Sequence, residues 1–441
     1  MIHLALILCL SFSSFAVTPE EVRKIVLDNF QLIEEAELKL EAARGEETAA
    51  KGSFDTKLIF KSRNRIEDKY DNQYFETTLE RNTGLKGINL IAGHRQGVGT
   101  FPAYDGKYAT SAAGELFAGI SIPLLRNFST DEARANLEVA RLEKKQEEEQ
   151  LKLKKNIYVH KALSLYYKYI LEQQKLKIRN DILKLALDRN EMLEVKFNRG
   201  DVERIKLTDN QRSIDKRKDE LLKTEVYLAE LRAQLSLYLP GAGENLVTVA
   251  PTPIETAPTI DPKLKLDELP QVKILSYERE KGKVLERLRE QEKLPGLSVD
   301  VLGAKELSVS PYDPESLQLG VKFDFPLENR KAEGKSVAQS YKLQAIEKRK
   351  TYVENEISQS YDFTLRALKL LTDRWTVLTN EVERSVAMAT AERNRWREGS
   401  SDLFTVNLRE QDLADVEIRK WTTWYEFHQT VLDAKLFNAS I

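Results

Sequence analysis

The sequence predicts a mostly α-helical protein with a membrane-type β region, organised as two similar halves. Two glycine-centred segments carry this reading: Lys196-Phe197-Asn198-Arg199-Gly200-Asp201 and Arg395-Trp396-Arg397-Glu398-Gly399-Ser400. Each follows a long helix-period stretch, from about Asp131 to Phe197 and from about Lys331 to Trp396. Each precedes a shorter one, from about Val202 to Tyr238 and from about Asp402 to Ala439. Before each long stretch lie residues that alternate apolar and polar with period two and end on a proline, Pro123 or Pro326. Self-similarity of this kind, here with a period of about 200 residues, marks an internal repeat. Glycine suits the point between two helices because it takes the left-handed backbone of a tight helix end without a Cβ clash.

Composition supports elongated helices rather than several globular cores. Of the 441 residues 31% are charged and 41% hydrophobic. The 68 basic and 70 acidic residues are interspersed and leave a net charge of -2. That pattern reads as solvated helix faces and excludes the basic field that nucleic acid requires. Residues 1–16 form an apolar run followed by Ser14 and Ala16, which fits a cleaved export signal; the alternative is a short buried N-terminal segment. The only cysteine, Cys9, falls in this run, and Leu8 before it is too large for a lipoprotein signal. Cleavage would leave no disulfide and no thiolate metal site. No later stretch reaches 18 apolar residues, so any membrane crossing has to use β-strands.

The first half is expected over 17–240. Thr18, Pro19 and Glu21 form a helix start with a capping box, and apolar residues Val22, Ile25, Val26, Ile33, Ala36 and Leu40 continue a helix to about Ala50. Strands are expected within 53–122, with Phe54, Leu58 and Phe60, then Phe75, Thr77 and Leu79, then Ile88, Leu90 and Ala92, and finally Leu116, Ala118, Ile120 and Ile122 on common faces. The glycine-rich segment from Gly93 to Gly114 reads as loop. Its glycines at 93, 97 and 99 are not followed by a helix pattern, which argues against a phosphate-binding loop. A capping box from Ser129 to Glu132 opens the long helix, expected to run about 100 Å at 1.5 Å per residue. Its hairpin tip lies at 198–201.

A proline-rich linker, 241–270, leads to the second half, 271–441. A helix from about Gln271 to Lys293 precedes strands within 297–325. Leu317, Leu319, Val321, Phe323 and Phe325 share one side of the last strand; Ser316, Gln318, Gly320, Lys322 and Asp324 share the other. Ten residues with one apolar and one polar face suit a transmembrane barrel, and also suit a strand of a soluble sandwich. The second tip lies at 397–401. One chain has too few strands to close a barrel, and an open sheet edge does not persist in lipid, so several copies must pool their strands. Strands that leave and return on one side place both helical hairpins in one compartment. With an export signal that compartment is the periplasm and the lipid is that of an outer membrane.

The order of elements, together with Gly119-Ile120-Ser121-Ile122-Pro123-Leu124-Leu125-Arg126, with Lys196 to Gly200 followed by Gln211, and with Arg397 to Phe404, resembles the TolC-like outer-membrane efflux and secretion channels. The resemblance covers nearly the whole chain after the leader. It implies a homotrimer in which each protomer gives about four strands to a shared twelve-stranded barrel and its helices to a long α-barrel. It implies docking on a periplasmic adaptor (membrane fusion) protein and, through it, on an inner-membrane transporter of an efflux or type I secretion system. The tip residues Gly200, Asp201, Gly399 and Ser400 are then the adaptor contacts. Some members carry acidic residues six and nine positions after the second tip glycine; here those positions are Thr405 and Leu408, so a carboxylate gate is in doubt, with Asp402 and Glu410 the nearest acids.

Catalytic chemistry finds no constellation, and the chain reads as a non-enzyme without cofactor or metal. His3, His94, His160 and His428 have no ligand partner at i+3 or i+4, and there is no G-x-S-x-G elbow. Trp375, Trp396, Trp421 and Trp424, like Tyr166, Tyr167 and Tyr169, read mainly as packing residues between helices. The competing reading from another class is a periplasmic coiled-coil scaffold without channel activity.

Overall fold

The computed structural model describes residues 17–65, 72–99, 110–240, 248, 250–256, 263–307 and 315–437. The expected export signal, the 310–314 turn, part of the 93–114 segment and part of the linker lie outside them. The helices are α1 (Pro19–Asn29), α2 (Gln31–Lys51), α3 (Glu132–Asn198), α4 (Arg204–Ser236), α5 (Pro270–Glu292), α6 (Arg330–Arg397) and α7 (Leu403–Phe437). The strands are β1 (Lys57–Arg65), β2 (Asn72–Asn82), β3 (Asn89–Gly99), β4 (Glu115–Pro123), β5 (Gly296–Glu306) and β6 (Glu315–Asp324). The long helices α3 and α6 have 67 and 68 residues, and their returning partners α4 and α7 have 33 and 35.

The chain forms two compact units that do not follow the two halves of the sequence. One comprises 1–36, 151–270 and 354–441, the other 37–150 and 271–353. Thus α2, α3 and α6 each begin in one unit and end in the other.

The first unit is held by an apolar core. Val22 and Val26 of α1, Val159, Tyr166, Tyr169 and Ile170 of α3, Leu228, Leu231 and Leu235 of α4, Leu368 and Trp375 of α6, and Trp424 and Phe427 of α7 are all buried in one cluster. The Tyr166 hydroxyl donates to the Val17 carbonyl at 2.5 Å, so its buried polar end is satisfied. Linker residues lie on this core as well: Ile254 is buried in it, and the Trp424 indole donates to the Thr252 carbonyl at 2.8 Å. The predicted capping box is present, with the Glu21 amide donating to the Thr18 hydroxyl and the Thr18 amide donating to the Glu21 carboxylate.

Phe30 corrects the expectation of one continuous first helix. Its backbone is extended, and its ring sits 4.8 Å from that of Tyr158 and 4.7 Å from that of Tyr238. Burying that ring between α3 and the end of α4 ends α1 and lets α2 restart at Gln31.

The helices of the second unit have little apolar core. Ala135, Val284 and Leu288 form a small cluster. Elsewhere ion pairs connect neighbours: Glu47 to Lys144 at 2.8 Å, Arg287 to Glu138 at 2.8 Å, Arg279 to Glu347 at 3.4 Å. The Arg287–Glu138 and Arg279–Glu347 pairs are largely open to solvent, which screens them, so they add little to stability. The helix α3 is capped by Asp131 rather than by the expected Ser129 box. The Asp131 carboxylate accepts from the Arg134 amide at 2.8 Å and from its guanidinium at 2.7 Å. Arg134 in turn satisfies the carbonyls of Asn127 and Ser129.

All six strands form one antiparallel sheet in sequence order, β1-β2-β3-β4-β5-β6. The sheet therefore holds two strands more than the four or so expected from each chain, because the region 53–122 supplies β1 to β4 rather than two strands, all paired in the same sheet. The loop expected from Gly93 is also corrected, since β3 continues through Gly93 and Gly97 to Gly99. A Cβ on Gly93 would lie 2.4 Å from the Thr77 carbonyl and 2.6 Å from the Phe117 ring. The glycine is there because a neighbouring aromatic ring crosses over the strand, not because the chain turns.

Candidate functional site

Strand alternation and register give the sheet two chemically distinct faces. One row runs across all six strands: Leu58 opposite Leu79, then Ala92, Ala118, Gly303 and Leu317. A second row passes through Leu90, Ile120, Val301 and Leu319. The edge side chains on this face, Leu58 and Phe60 in β1 and Leu317, Leu319, Val321 and Phe323 in β6, are 66–74% exposed. Phe325, expected on the same face, follows the strand and is 42% exposed. Pairing stops at Asp324 because its partner Gly296 follows Pro295, and Pro326 follows Phe325; neither proline has an N–H to donate.

The opposite face carries the polar groups. Lys61 pairs with Glu76 at 3.0 Å and Arg95 with Glu115 at 3.0 Å, and the Arg95 guanidinium lies over the Phe117 ring at 5.2 Å. Ser121, Asp300, Gln318 and Lys322 share this side by register. The two faces meet their limits at Lys305 and Glu315, which pair at 2.7 Å at one end of the apolar band.

The strand-to-helix connections repeat one device. After Pro123 and Pro326 the chain turns through Asn127 (φ 70°) and Asn329 (φ 46°), both left-handed. Asparagine tolerates that region better than most residues. Arg126 forms an ion pair with Asp324, which ties the end of β6 to the connection after β4.

The hairpin tips are a second candidate site, in the other unit. At the first, the Gly200 amide donates to the Phe197 carbonyl at 2.9 Å and the Asp201 amide to Lys196 at 2.9 Å. At the second, Gly399 donates to Trp396 at 3.1 Å and Ser400 to Arg395 at 2.8 Å. These are the paired bonds of a Schellman helix end, and both glycines have φ 82°. Gly200, Asp201, Gly399 and Ser400 are all exposed, and a Cβ built on either glycine meets nothing within 4 Å. The two tips touch: Lys196 lies 5.0 Å from the centroid of the Trp396 ring. Trp396 is therefore a bridge between hairpins, whereas Trp375 and Trp424 are core residues as their spacing predicts.

Neither acid considered as a gate is a free carboxylate. Asp402 caps α7, accepting from the Thr405 amide at 2.8 Å and its hydroxyl at 3.1 Å; these bonds hold its carboxyl below the usual range. Glu410 is buried between α3 and α4. It accepts from Arg189 at 3.2 and 2.9 Å and from Arg217 at 3.1 Å. Arg189 also donates to Asn210 at 3.2 Å, and Arg217 to the Ile182 carbonyl. Sequence reasoning missed these arginines. They look like any other charged helix position, and their partner is about 200 residues away in the chain.

A sheet with an exposed apolar face and a polar reverse, continued into helical hairpins with paired glycine tips, defines the fold of the TolC-like outer-membrane channels. Solved structures of such channels superpose on this chain. The CusC structure matches with a TM-score of 0.71 at 13% identity, covering 96% of this chain and 91% of that one. The outer-membrane channel OprN gives 0.74 at 11%, covering 96% and 90%. VceC from Vibrio cholerae gives 0.69 at 12%, covering 96% and 95%. At these identities the likeness is one of fold. No protein-family model and no curated protein matches the sequence.

Proposed function

We propose that this protein is the outer-membrane channel of a tripartite efflux or type I secretion assembly, a passive homotrimeric conduit. The observation that carries the reading is the apolar face of the sheet. A water-soluble scaffold would bury a band of leucine, valine and phenylalanine that reaches 66–74% exposure at both edges. Lipid stabilises the same band, and the polar reverse then lines an aqueous lumen. Residues 1–16 would direct export, the helices would extend into the periplasm, and the repeat of strands and hairpins would reflect an internal duplication.

In this reading Gly200, Asp201, Gly399 and Ser400 face a periplasmic adaptor, which links the channel to an inner-membrane transporter. Their exposure and the empty space beside both glycines support this role. With Thr405 and Leu408 at the family's gate positions, and Asp402 and Glu410 both engaged in hydrogen bonds, closure would not depend on a ring of free carboxylates.

Cell fractionation followed by denaturing gels with and without heating tests the proposal. The protein is expected in the outer-membrane fraction as an oligomeric species that dissociates only when heated. A soluble, heat-insensitive monomer would refute it and leave the scaffold reading in place.

A further inference from the structure

The sheet of one copy ends in two edges. Among the described residues β1 pairs only with β2, and β6 only with β5. Edge strands in water are normally protected by charge, proline or a bulge. Here the edge charges Lys61, Arg63 and Lys322 lie on the polar face, and on the apolar face the two edges present Leu58, Phe60, Leu317, Leu319, Val321 and Phe323. In hydrocarbon, each backbone group left unpaired along such an edge costs several kcal/mol.

The surplus strands could in principle stand outside the membrane as an appendage. The register opposes that. Leu58 and Leu79 occupy the same row as Ala118, Gly303 and Leu317, so β1 and β2 lie level with the strands after them. They carry the same band and are part of the same wall.

The band also slips along the sheet. It centres on Ile59 in β1, between Leu58 and Phe60, and on Gly320 in β6, within Leu317 to Phe323. Following the register from Ile59 through Thr78, Gly93, Phe117 and Ala304 leads to Ser316, four residues from Gly320. A band perpendicular to the strands would show no slip. A wall of tilted strands crossing a flat bilayer requires one, because closing a barrel staggers the register.

Parity completes the geometry. Six antiparallel strands in sequence order leave β1 and β6 running in opposite directions. The β6 edge of one copy therefore meets the β1 edge of the next in the same antiparallel sense as every other pair in the sheet. An odd number would force a parallel joint.

We propose that the occupant of each edge is a second copy of this chain, joined β6 to β1, so that all six strands of every copy enter the barrel. With three copies the barrel has eighteen strands rather than twelve. The inference rests on the channel reading above and adds the wall's composition and the seam between copies. Barrel diameter grows roughly linearly with strand number, so the lumen is about half again as wide as a twelve-stranded one and falls in the range of water-filled porins. Selection of cargo by size then falls to the helical part of the conduit, not to the membrane ring.

Cysteine pairs across the seam test this in the full chain with Cys9→Ser. One cysteine replaces Leu58, Phe60 or Ser62; the other replaces Leu317, Leu319 or Val321. Directly opposed pairs on neighbouring antiparallel strands bring Cβ atoms about 4.5–5.5 Å apart. Oxidation of the membranes is expected to give covalent dimers and trimers from at least one pair, and none beyond background from either single cysteine of that pair. Heat-modifiable trimers in which no pair cross-links would overturn the seam while leaving the channel reading intact. Loss of the protein from the outer membrane in the unsubstituted chain would instead overturn the channel reading. Should cysteines prevent assembly, a reconstruction of the unsubstituted oligomer decides: six strands per copy are expected, and four per copy would overturn the proposal.

Discussion

Glu410 and Arg189 form a two-pronged ion pair between α7 and α3, with both side chains buried and the two contacts at 2.9 and 3.2 Å. Arg217 of α4 donates to the same carboxylate, so two cations share one anion away from water. Burial, with a smaller contribution from Arg189, lowers the Arg217 pKa against the opposing effect of Glu410. Removing the anion leaves two uncompensated charges. Glu410→Gln is therefore expected to destabilise the helical unit by about 3–5 kcal/mol. Arg217→Met, which keeps the Arg189 pair and removes the excess charge, is expected to cost much less. Thermal unfolding of the detergent-solubilised protein checks the order; equal losses would show that the cluster's charge imbalance does not matter.

His428 makes the same unit sensitive to acid. Its ring stacks on Tyr167 at 4.6 Å and leans on Trp424 at 4.3 Å, and burial, with a smaller contribution from Lys435, lowers its pKa from 6.5 to about 4. Between those values the unfolded chain binds a proton that the folded chain refuses. Stability then rises with pH across this window, is complete above about 6.5, and is lost as pH falls toward 4. The full effect is on the order of 3 kcal/mol. The Tm of the protein is expected to fall between pH 6.5 and 4, and His428→Phe is expected to flatten that part of the curve. An unchanged slope in the variant would assign the acid sensitivity elsewhere.

These two residues illustrate what the sequence conveys. The long helices, their glycine ends and the two-faced last strand depend on local spacing, and all are legible from it. Residues such as Leu317 to Phe323 announce their face because a strand has only two. Glu410 and His428 sit within charged, helix-period sequence, where burial depends on which distant helix packs alongside. The first helix hides its break for the same reason, since Phe30 needs Tyr158 and Tyr238 to explain it. Strand β3 was obscured by its own glycines, which look like a loop until Phe117 is seen lying over Gly93. That misreading cost β3 its second half, from Gly93 to Gly99.

The tip glycines separate strain from contact. A side chain at Gly200 or Gly399 meets open space but must adopt φ near 82°. Alanine there is expected to cost about 1 kcal/mol through the backbone alone and to leave oligomers assembled. Gly200→Glu or Gly399→Glu is expected to leave assembly equally intact but to impair export, since a bulky charge then stands at the proposed adaptor contact. Oligomer gels and an export assay read the two effects separately; normal export from both variants would remove the tips from the docking surface.

Leu319 distinguishes lipid from water on the apolar face. The side chain is 73% exposed, and near-complete exposure of this kind makes substitution almost neutral in a soluble protein, within about 0.5 kcal/mol. In a bilayer the same position faces hydrocarbon, and a lysine or arginine there costs about 2–4 kcal/mol near the midplane. Its neighbour Gln318 points to the polar face and tolerates either residue in both settings. Leu319→Arg is therefore expected to reduce the yield of heat-modifiable oligomer sharply, and Gln318→Arg to leave it near the unsubstituted level. The contrast isolates the environment of one face, because both changes introduce the same charge one residue apart on the same strand. Equal yields would place water on both sides of the sheet and remove the physical basis for a membrane wall.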